Sequence, residues 1–308
     1  MSNNIAYASK YATDIDRKIV QVAKTGMLAD NVFRAQFVGA KTVIMPDLNL
    51  VGLGTYGRPN SGGGYPAGDV ALTQTSYTLS MDRGRQYVID AQDADESGVS
   101  DLIGKTASEI TRTIVVPEID AYNISKMATT AITRSHETSY NAASCVGDLL
   151  TAINNVEAAN AYQDDEVIAY VNPAMHDALM TSSEITRMIT VSDFRQGDAS
   201  FKVKRLNGVA IIPVEARRMC SAFTFDDGSS SDEGGFAPSA GSKNVYALVL
   251  PRKSASFIRK VDKVRIFTPE QYFNADAYVL ALRVYYDLFV RKSHLDTIHV
   301  ITGARASV

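Results

Sequence analysis

Residues Val99 to Ala131 read VSDLIGKTASEITRTIVVPEIDAYNISKMATTA, and the periodicity of this stretch decides the fold. Val99, Ile103, Ala107, Ile110, Ile114, Ala121, Ile124 and Ala128 recur at three- and four-residue steps. A helix turns once every 3.6 residues, so these side chains share one face. The spacing predicts an amphipathic helix of more than about eight turns. Asp93, Asp95, Glu96 and Asp101 approach its start, and Lys126 and Arg134 stand near its end, as the helix dipole favours. Pro117 removes an amide N–H from the interior. It predicts a kink rather than a stop, because the pattern resumes beyond it. A rod of this length needs a broad sheet or neighbouring chains to cover its apolar face.

The rest of the chain supplies a sheet. After the helix, residues 134–141 form a connector. Val146, Leu149, Leu150, Ile153, Val156 and Ala159 predict a second amphipathic helix, Val167 to Val171 a short apolar strand, and Asn172-Pro173 the start of a further helix through Met180. Phe201 to Leu206 and Val209 to Val214 flank Asn207-Gly208, the pair that supplies both positive-φ positions of a tight hairpin. Asp226 to Ser242 is Gly/Ser-rich and acidic, and reads as an exposed loop; Val245 to Leu250 returns as a strand closed by Pro251. From Phe257 to Ile301 strand follows strand: Ile258 to Phe267, Tyr278 to Tyr286, then, after a turn at Ser293 to Asp296, Ile298 to Ile301. This C-terminal sheet is the expected cover for the long helix, with a compact α/β unit inserted between the two.

Upstream, residues 1–12 read as an arm. Thr13 or Asp14 caps a short helix with Ile15, Ile19 and Val22 on its apolar face and Gly26 as its stop. Strand residues run from Asn31 to Met45, where Pro46-Asp47 closes them, and again from Val70 to Met81 and at Tyr87 and Ile89. Between them Leu50 to Gly68 is rich in glycine yet carries Leu53, Tyr56 and Tyr65. This is an extended hairpin with a long tip. It has no core of its own, so it must lie against something. Gly52, Gly54 and Gly57 copy the spacing of a dinucleotide-binding loop, but Arg58-Pro59-Asn60-Ser61 follows and no helix can start there.

Composition limits the chemistry. The 308 residues suffice for one large domain or two ordinary ones, and 45 % hydrophobic with 21 % charged residues is a globular balance. A net charge of −3 argues against a chain whose main task is gripping nucleic acid or an anionic membrane. No run approaches the ~20 apolar residues of a membrane span. Cys145 and Cys220 give neither a disulfide framework nor a zinc spacing, which suits synthesis in a reducing cytoplasm. His136, His176, His294 and His299 are scattered, and no nucleophile elbow occurs. Asp226, Asp227, Asp232 and Glu233 match no calcium loop. No catalytic residue, cofactor or metal site is expected. Arg83 and Arg85, beside Asp82 at the root of the hairpin, are placed to ion-pair across a subunit contact, as Tyr56, Arg58 and Tyr65 on its tip are placed to dock.

Four segments, taken in order, carry a resemblance. They are Gly39-Ala40-Lys41-Thr42-Val43, Met81-Asp82-Arg83-Gly84-Arg85, Val116-Pro117-Glu118-Ile119-Asp120-Ala121-Tyr122 and Tyr285-Tyr286-Asp287-Leu288-Phe289-Val290. The chain resembles the major capsid proteins of tailed bacteriophages, the Hong Kong 97-type capsid fold, over about Ile15 to Ile301. The resemblance implies an α+β fold with an N-terminal arm (1–40), an extended β-hairpin loop (41–90), and a peripheral domain made of a long spine helix (91–144) and a C-terminal sheet (252–308). An axial α/β domain (145–251) would be inserted between them, with Asp226 to Ser242 as its candidate tip.

It further implies a structural protein, not an enzyme, that self-assembles through pentamers and hexamers into an icosahedral-type shell around double-stranded DNA. The partners would be copies of itself, a separate scaffolding protein (or a scaffold part already removed), a portal, a possible decoration protein and DNA bound without sequence preference. The shell would be built in the bacterial host cytoplasm and carried in the virion. Some members of the fold cross-link the extended loop through a lysine; no lysine lies between Thr42 and Gly104, so no covalent mesh is expected and mature particles should run without a ladder on a denaturing gel. The glycine-rich tip and Pro117 are candidates for absorbing the curvature difference between pentamers and hexamers, so prolines in the tip should permit capsomers but block closed shells. Two other readings remain: an encapsulin-like nanocompartment shell, and, from a different class, an α/β hydrolase or binding module.

Overall fold

A computed structural model describes residues 15, 17–19, 21–31, 36–38, 41–56, 64–68, 70–92, 102–160, 165–182, 189–196, 199–229, 234–272 and 274–305. Expectations for the arm at 1–12, the cap at Thr13 or Asp14, Arg58, and the acidic approach at 93–101 lie outside these residues.

The long helix is present from Leu102 to Thr133 in three pieces: α1 (Leu102–Ile110), a π-helical turn (Thr111–Val115) and α2 (Val116–Thr133). As expected, the helix does not stop at Pro117, and a π turn stands just before the proline. Pro117 falls in the first turn of α2, where the change from π to α bonding already alters the helical pattern. The Val116 N–H reaches back five residues to the Thr111 carbonyl. The extra residue in that turn rotates the apolar stripe. Ala107 and Ile110 are buried before it, Ile114 is thrown out to 44 % exposure, and Val116 and Ile119 enter the core ahead of Ala121, Ile124 and Ala128.

Two sheets sandwich this helix. β13 (Ala255–Phe267), β14 (Ala277–Val290) and β4 (Met81–Asp90) form an antiparallel three-stranded sheet in the order β13-β14-β4. Phe257, Leu280, Tyr286 and Leu288 from it pack with Ile119, Ile124, Met127 and Ala131 of α2 in one core. The second sheet has seven strands: β5 (Glu137–Ser139), β6 (Val167–Val171), β7 (Ile189–Gln196), β8 (Ala199–Leu206), β9 (Val209–Pro213), β12 (Asn244–Pro251) and β15 (His299–Gly303), in the order β5-β15-β12-β6-β9-β8-β7.

Its central strands read as continuous apolar runs because both faces are covered. Ile168, Tyr170, Ala210, Ile212, Leu248 and Leu250 face the core shared with α2. Their neighbours Ala169, Val171, Ile211, Ala247 and Val249 face α3 (Cys145–Asn160) and α4 (Pro173–Thr181) on the other side. Asn172 caps α4, its side chain accepting the Ala174 N–H. The turn between β8 and β9 has φ of 50° at Asn207 and 85° at Gly208.

Several expectations are revised. The C-terminal run splits between sheets: β15 leaves β13 and β14 and pairs with β12 and, in parallel, with β5. Pro46 does not end its strand. β2 (Thr42–Leu50) runs through it, because pairing with β1 (Gln36–Val38) stops at Ile44 and β3 (Val70–Thr78) alone continues alongside. A proline fits such a free edge. Asp226 to Ser242 is not merely a loop: β10 (Phe223–Asp226) and β11 (Gly235–Pro238) pair as a hairpin. At the other end of the chain, the short helix buries Ile15, Ile19 and Ala23 and leaves Val22 exposed, and Gly26 opens a 3-10 turn to Asn31 rather than a stop.

Candidate assembly surface

The hairpin β2–β3 is paired in register from Thr42↔Thr78 to Leu50↔Val70, and beyond it the chain leaves the sheet. Tyr56 and Tyr65 meet edge to face with centroids 4.9 Å apart, yet remain 52 % and 91 % exposed. Among the described residues the exposed large hydrophobics are Val22, Val51, Leu53, Tyr56, Tyr65, Val88 and Ile114. Four of the seven crowd this tip. Single exposed apolar side chains are ordinary on a protein surface; four large ones on an element without a core of its own are not.

Val88 and Ile114 sit together elsewhere, on the walls of a cleft of about 940 Å³ between β4, the π turn and the β10–β11 hairpin. The cleft owes its shape to two local features. The π turn turns Ile114 outward, and the β10–β11 hairpin forms the opposite rim with Phe236 and Pro238. Its charged lining groups are Arg83, Arg85, Arg217 and Arg305 facing Glu118, Asp226 and Asp227. Cys220 also lines it, but burial pushes its thiol up, away from the thiolate a nucleophile needs.

Arg83 is engaged within its own chain. Its Nε donates to Glu118 Oε1 at 2.7 Å, and its two terminal nitrogens donate to the carbonyls of Asp226 at 2.6 Å and Gly235 at 3.2 Å. Burial works against its charge, and the Glu118 carboxylate outweighs burial, holding the guanidinium above its usual pKa. Tyr286 adds a hydroxyl donor to Glu118 at 2.9 Å; burial raises that phenol well above 10, and Glu118 adds to the rise. Arg83 thus pins the β10–β11 hairpin and β4 to α2. Tyr122 of α2 reinforces this against Phe225, 5.9 Å away. The segment expected at the tip of the axial domain is therefore held at its base on the spine helix. Asp226 and Asp227 cap their own turn, accepting the N–H of Gly228 and of Ser229. Arg85 lines the cleft, with its Nη1 close against Gly234.

Asp82 holds the hairpin root. Arg283 donates to it through Nε at 2.9 Å and Nη2 at 2.8 Å, and Lys41 lies 2.6 Å away. The Arg283 bonds, against some burial and with help from Lys41, hold its pKa at about 2. A second anchor is fully buried: Asp120 of α2 accepts the N–H groups of Lys24 and Thr25, the Thr25 hydroxyl, and Arg218 at 3.0 Å. Burial pushes this carboxyl up and the bonds to Thr25, Lys24 and Arg218 oppose it. Neither Glu118 nor Asp120 was singled out from the sequence. Their signal was present, since both are acidic residues interleaved with the apolar positions Val116, Ile119 and Ala121. Among the described residues no group of three or more His, Cys, Asp or Glu could hold a metal ion, and no helix is long and apolar enough to cross a membrane.

No protein-family model matches the chain, and no curated protein sequence matches it. Solved structures do. The capsid of cyanophage P-SCSP1u aligns over 88 % of this chain and 86 % of that chain, with 12 % identity and a TM-score of 0.55. The mature capsid of bacteriophage PhiM1 aligns over 87 % and 83 %, with 13 % identity and a TM-score of 0.53. A virus-like particle from Pyrococcus furiosus aligns over 96 % and 99 %, with 8 % identity and a TM-score of 0.52. With the spine helix, the two sheets and the projecting hairpin in place, the chain has the α+β fold of bacteriophage major capsid proteins.

Proposed function

We propose that this chain is a structural shell subunit that assembles through pentamers and hexamers into a closed container for double-stranded phage DNA. The observation that carries the reading is the hairpin tip, with Val51, Leu53, Tyr56 and Tyr65 exposed on a capsid-type fold. Neighbouring copies supply the missing cover. The cleft, with Val88 and Ile114 bare on its walls and arginines around them, is the seat for this aromatic tip, so tip and cleft form a head-to-tail contact that repeats around a ring. The partners are further copies of the chain, a scaffolding protein, a portal, a possible decoration protein and the packaged DNA. The place of action is the virion, after assembly in the host cytoplasm. The net charge of −3 suits a wall that contains DNA without gripping it. A structural role without catalysis is the reading that the capsid-type neighbours support.

One observation favours a second reading. The overlap with the virus-like particle is nearly complete on both chains, which suits a smaller compartment built from the same fold around a protein cargo. Light scattering and negative-stain electron microscopy of the expressed chain, with its scaffold supplied, test both. Shells or rings of five and six support the proposal, and diameter and nucleic-acid content separate a phage head from a compartment. A chain that stays monomeric or dimeric with scaffold present overturns it.

A further inference from the structure

The hairpin sheet β1–β2–β3 is separate from the sheet that contains β4, and Leu79-Ser80 is the whole of the passage between β3 and β4. Leu79 is buried with Val43, Ile258 and Tyr285, a small cluster distinct from the main core. Ser80 beside it meets Asp287 of β14. The Ser80 N–H and hydroxyl both donate to Asp287 Oδ2, at 3.1 and 2.9 Å. On the other oxygen, Oδ1 accepts the Tyr122 hydroxyl at 2.8 Å, the Leu288 N–H at 2.7 Å and the Lys126 ammonium. Asp287 is 2 % exposed, so one buried carboxylate gathers the hairpin, the spine helix and the C-terminal sheet.

We propose that Asp287 is a positioning residue: it fixes the angle at which the hairpin leaves the body, and with it the reach of the tip toward the next copy. The inference rests on the shell reading of the hairpin as a contact arm. An ionised carboxylate is an acceptor on both oxygens, which is what five donors from three elements require. An amide at this place cannot accept on both sides. Its oxygen stays with Leu288 and Lys126, and its NH₂ faces the Ser80 N–H, two donors in opposition. The hairpin is then the element released. The other contacts at the root, the buried cluster of Leu79 and Val43 with Ile258 and Tyr285, Lys41 with Asp82, and Tyr77 against Phe289 at 4.8 Å, keep the hairpin attached when the Ser80 bonds are lost, so the expected change is one of angle and not of attachment.

The test is made on dilute, unassembled full-length chain, so that it does not depend on shells forming. Spin labels at Y65C on the tip and T133C on α2, both exposed positions, report the tip-to-body distance, while Cys145 and Cys220 are buried. The parent chain gives one narrow distance distribution. D287N gives a second population at a shifted distance, with thermal melting still cooperative, and S80A, which leaves Lys126 paired, gives a smaller shift in the same sense. Should D287N fail to fold, S80A alone carries the test. Parent-like distributions in the folded variants overturn the positioning role even if shells form normally. Shells that never form from the parent chain overturn the shell reading and leave this measurement standing.

Discussion

Arg83 on β4 donates from Nε to Glu118 Oε1 on the spine helix over 2.7 Å, and this pair joins three parts of the fold that are far apart in sequence. The same guanidinium reaches the Asp226 and Gly235 carbonyls on both strands of the β10–β11 hairpin. All of these partners lie within one chain, and the pair lines the cleft beside it.

Replacing Arg83 by alanine leaves Glu118, 9 % exposed at its side chain, with Tyr286 as its one remaining partner among those described here. An uncompensated charge at such a site costs about 3–5 kcal/mol. Urea unfolding of the R83A subunit should show a loss of that order; a loss under ~1 kcal/mol would match an exposed pair instead.

Acid should weaken the subunit in two steps. Burial lowers the pKa of His294 and of His299 below 6.5. The unfolded chain then binds protons that the folded chain resists, so stability is complete above pH 6.5 and falls as pH drops through the lowered values. Asp82 acts lower: held at about 2 against a usual 3.8, it contributes above pH 3.8 and the contribution is lost toward pH 2. Thermal melting from pH 7 to 5 should show the first decline, and H294Q/H299Q should flatten it.

Gly84 should not tolerate a side chain. A Cβ there would stand 2.8 Å from the Leu282 backbone carbonyl on the paired strand β14. Backbone cannot swing aside as a flexible side chain can. G84A should force β4 from β14 and cost about 1–3 kcal/mol, read from the thermal midpoint.

The tip separates folding from assembly. Y56S/Y65S removes an exposed aromatic pair, which changes subunit stability by no more than ~1 kcal/mol. Particle yield in the presence of scaffold should nevertheless collapse. Undiminished yield would remove the tip from the contact.

Much of this architecture is written locally. Asn172-Pro173 announces a helix start and Asn207-Gly208 a tight turn, because each depends on backbone geometry that few residues adopt. The helix stripe from Ala107 to Ala128 is equally plain. The π turn is not, because Pro117 signals a break without saying which register absorbs it. Partners chosen by tertiary packing are also hidden. Nothing near Val300 says that β15 will leave its neighbours for β12, and β7, with Ser192, Asp193, Arg195 and Gln196 in its run, lacks a clean alternation. At the candidate surface, Tyr56 and Tyr65 stand out as aromatics among glycines. Arg83 looked like a surface cation because its partners are one carboxylate 35 residues away and two backbone carbonyls that no side-chain pattern can announce.

A tip that is bare in one chain and covered by another copy in the shell must lose accessibility on assembly. The most direct measurement is the alkylation rate of Y56C in dilute subunits and in assembled material, the native cysteines being buried. Y56C should label fast in the free subunit and be strongly protected in shells, with the same protection at I114C on the cleft wall. Equal rates at both positions before and after assembly would contradict this contact.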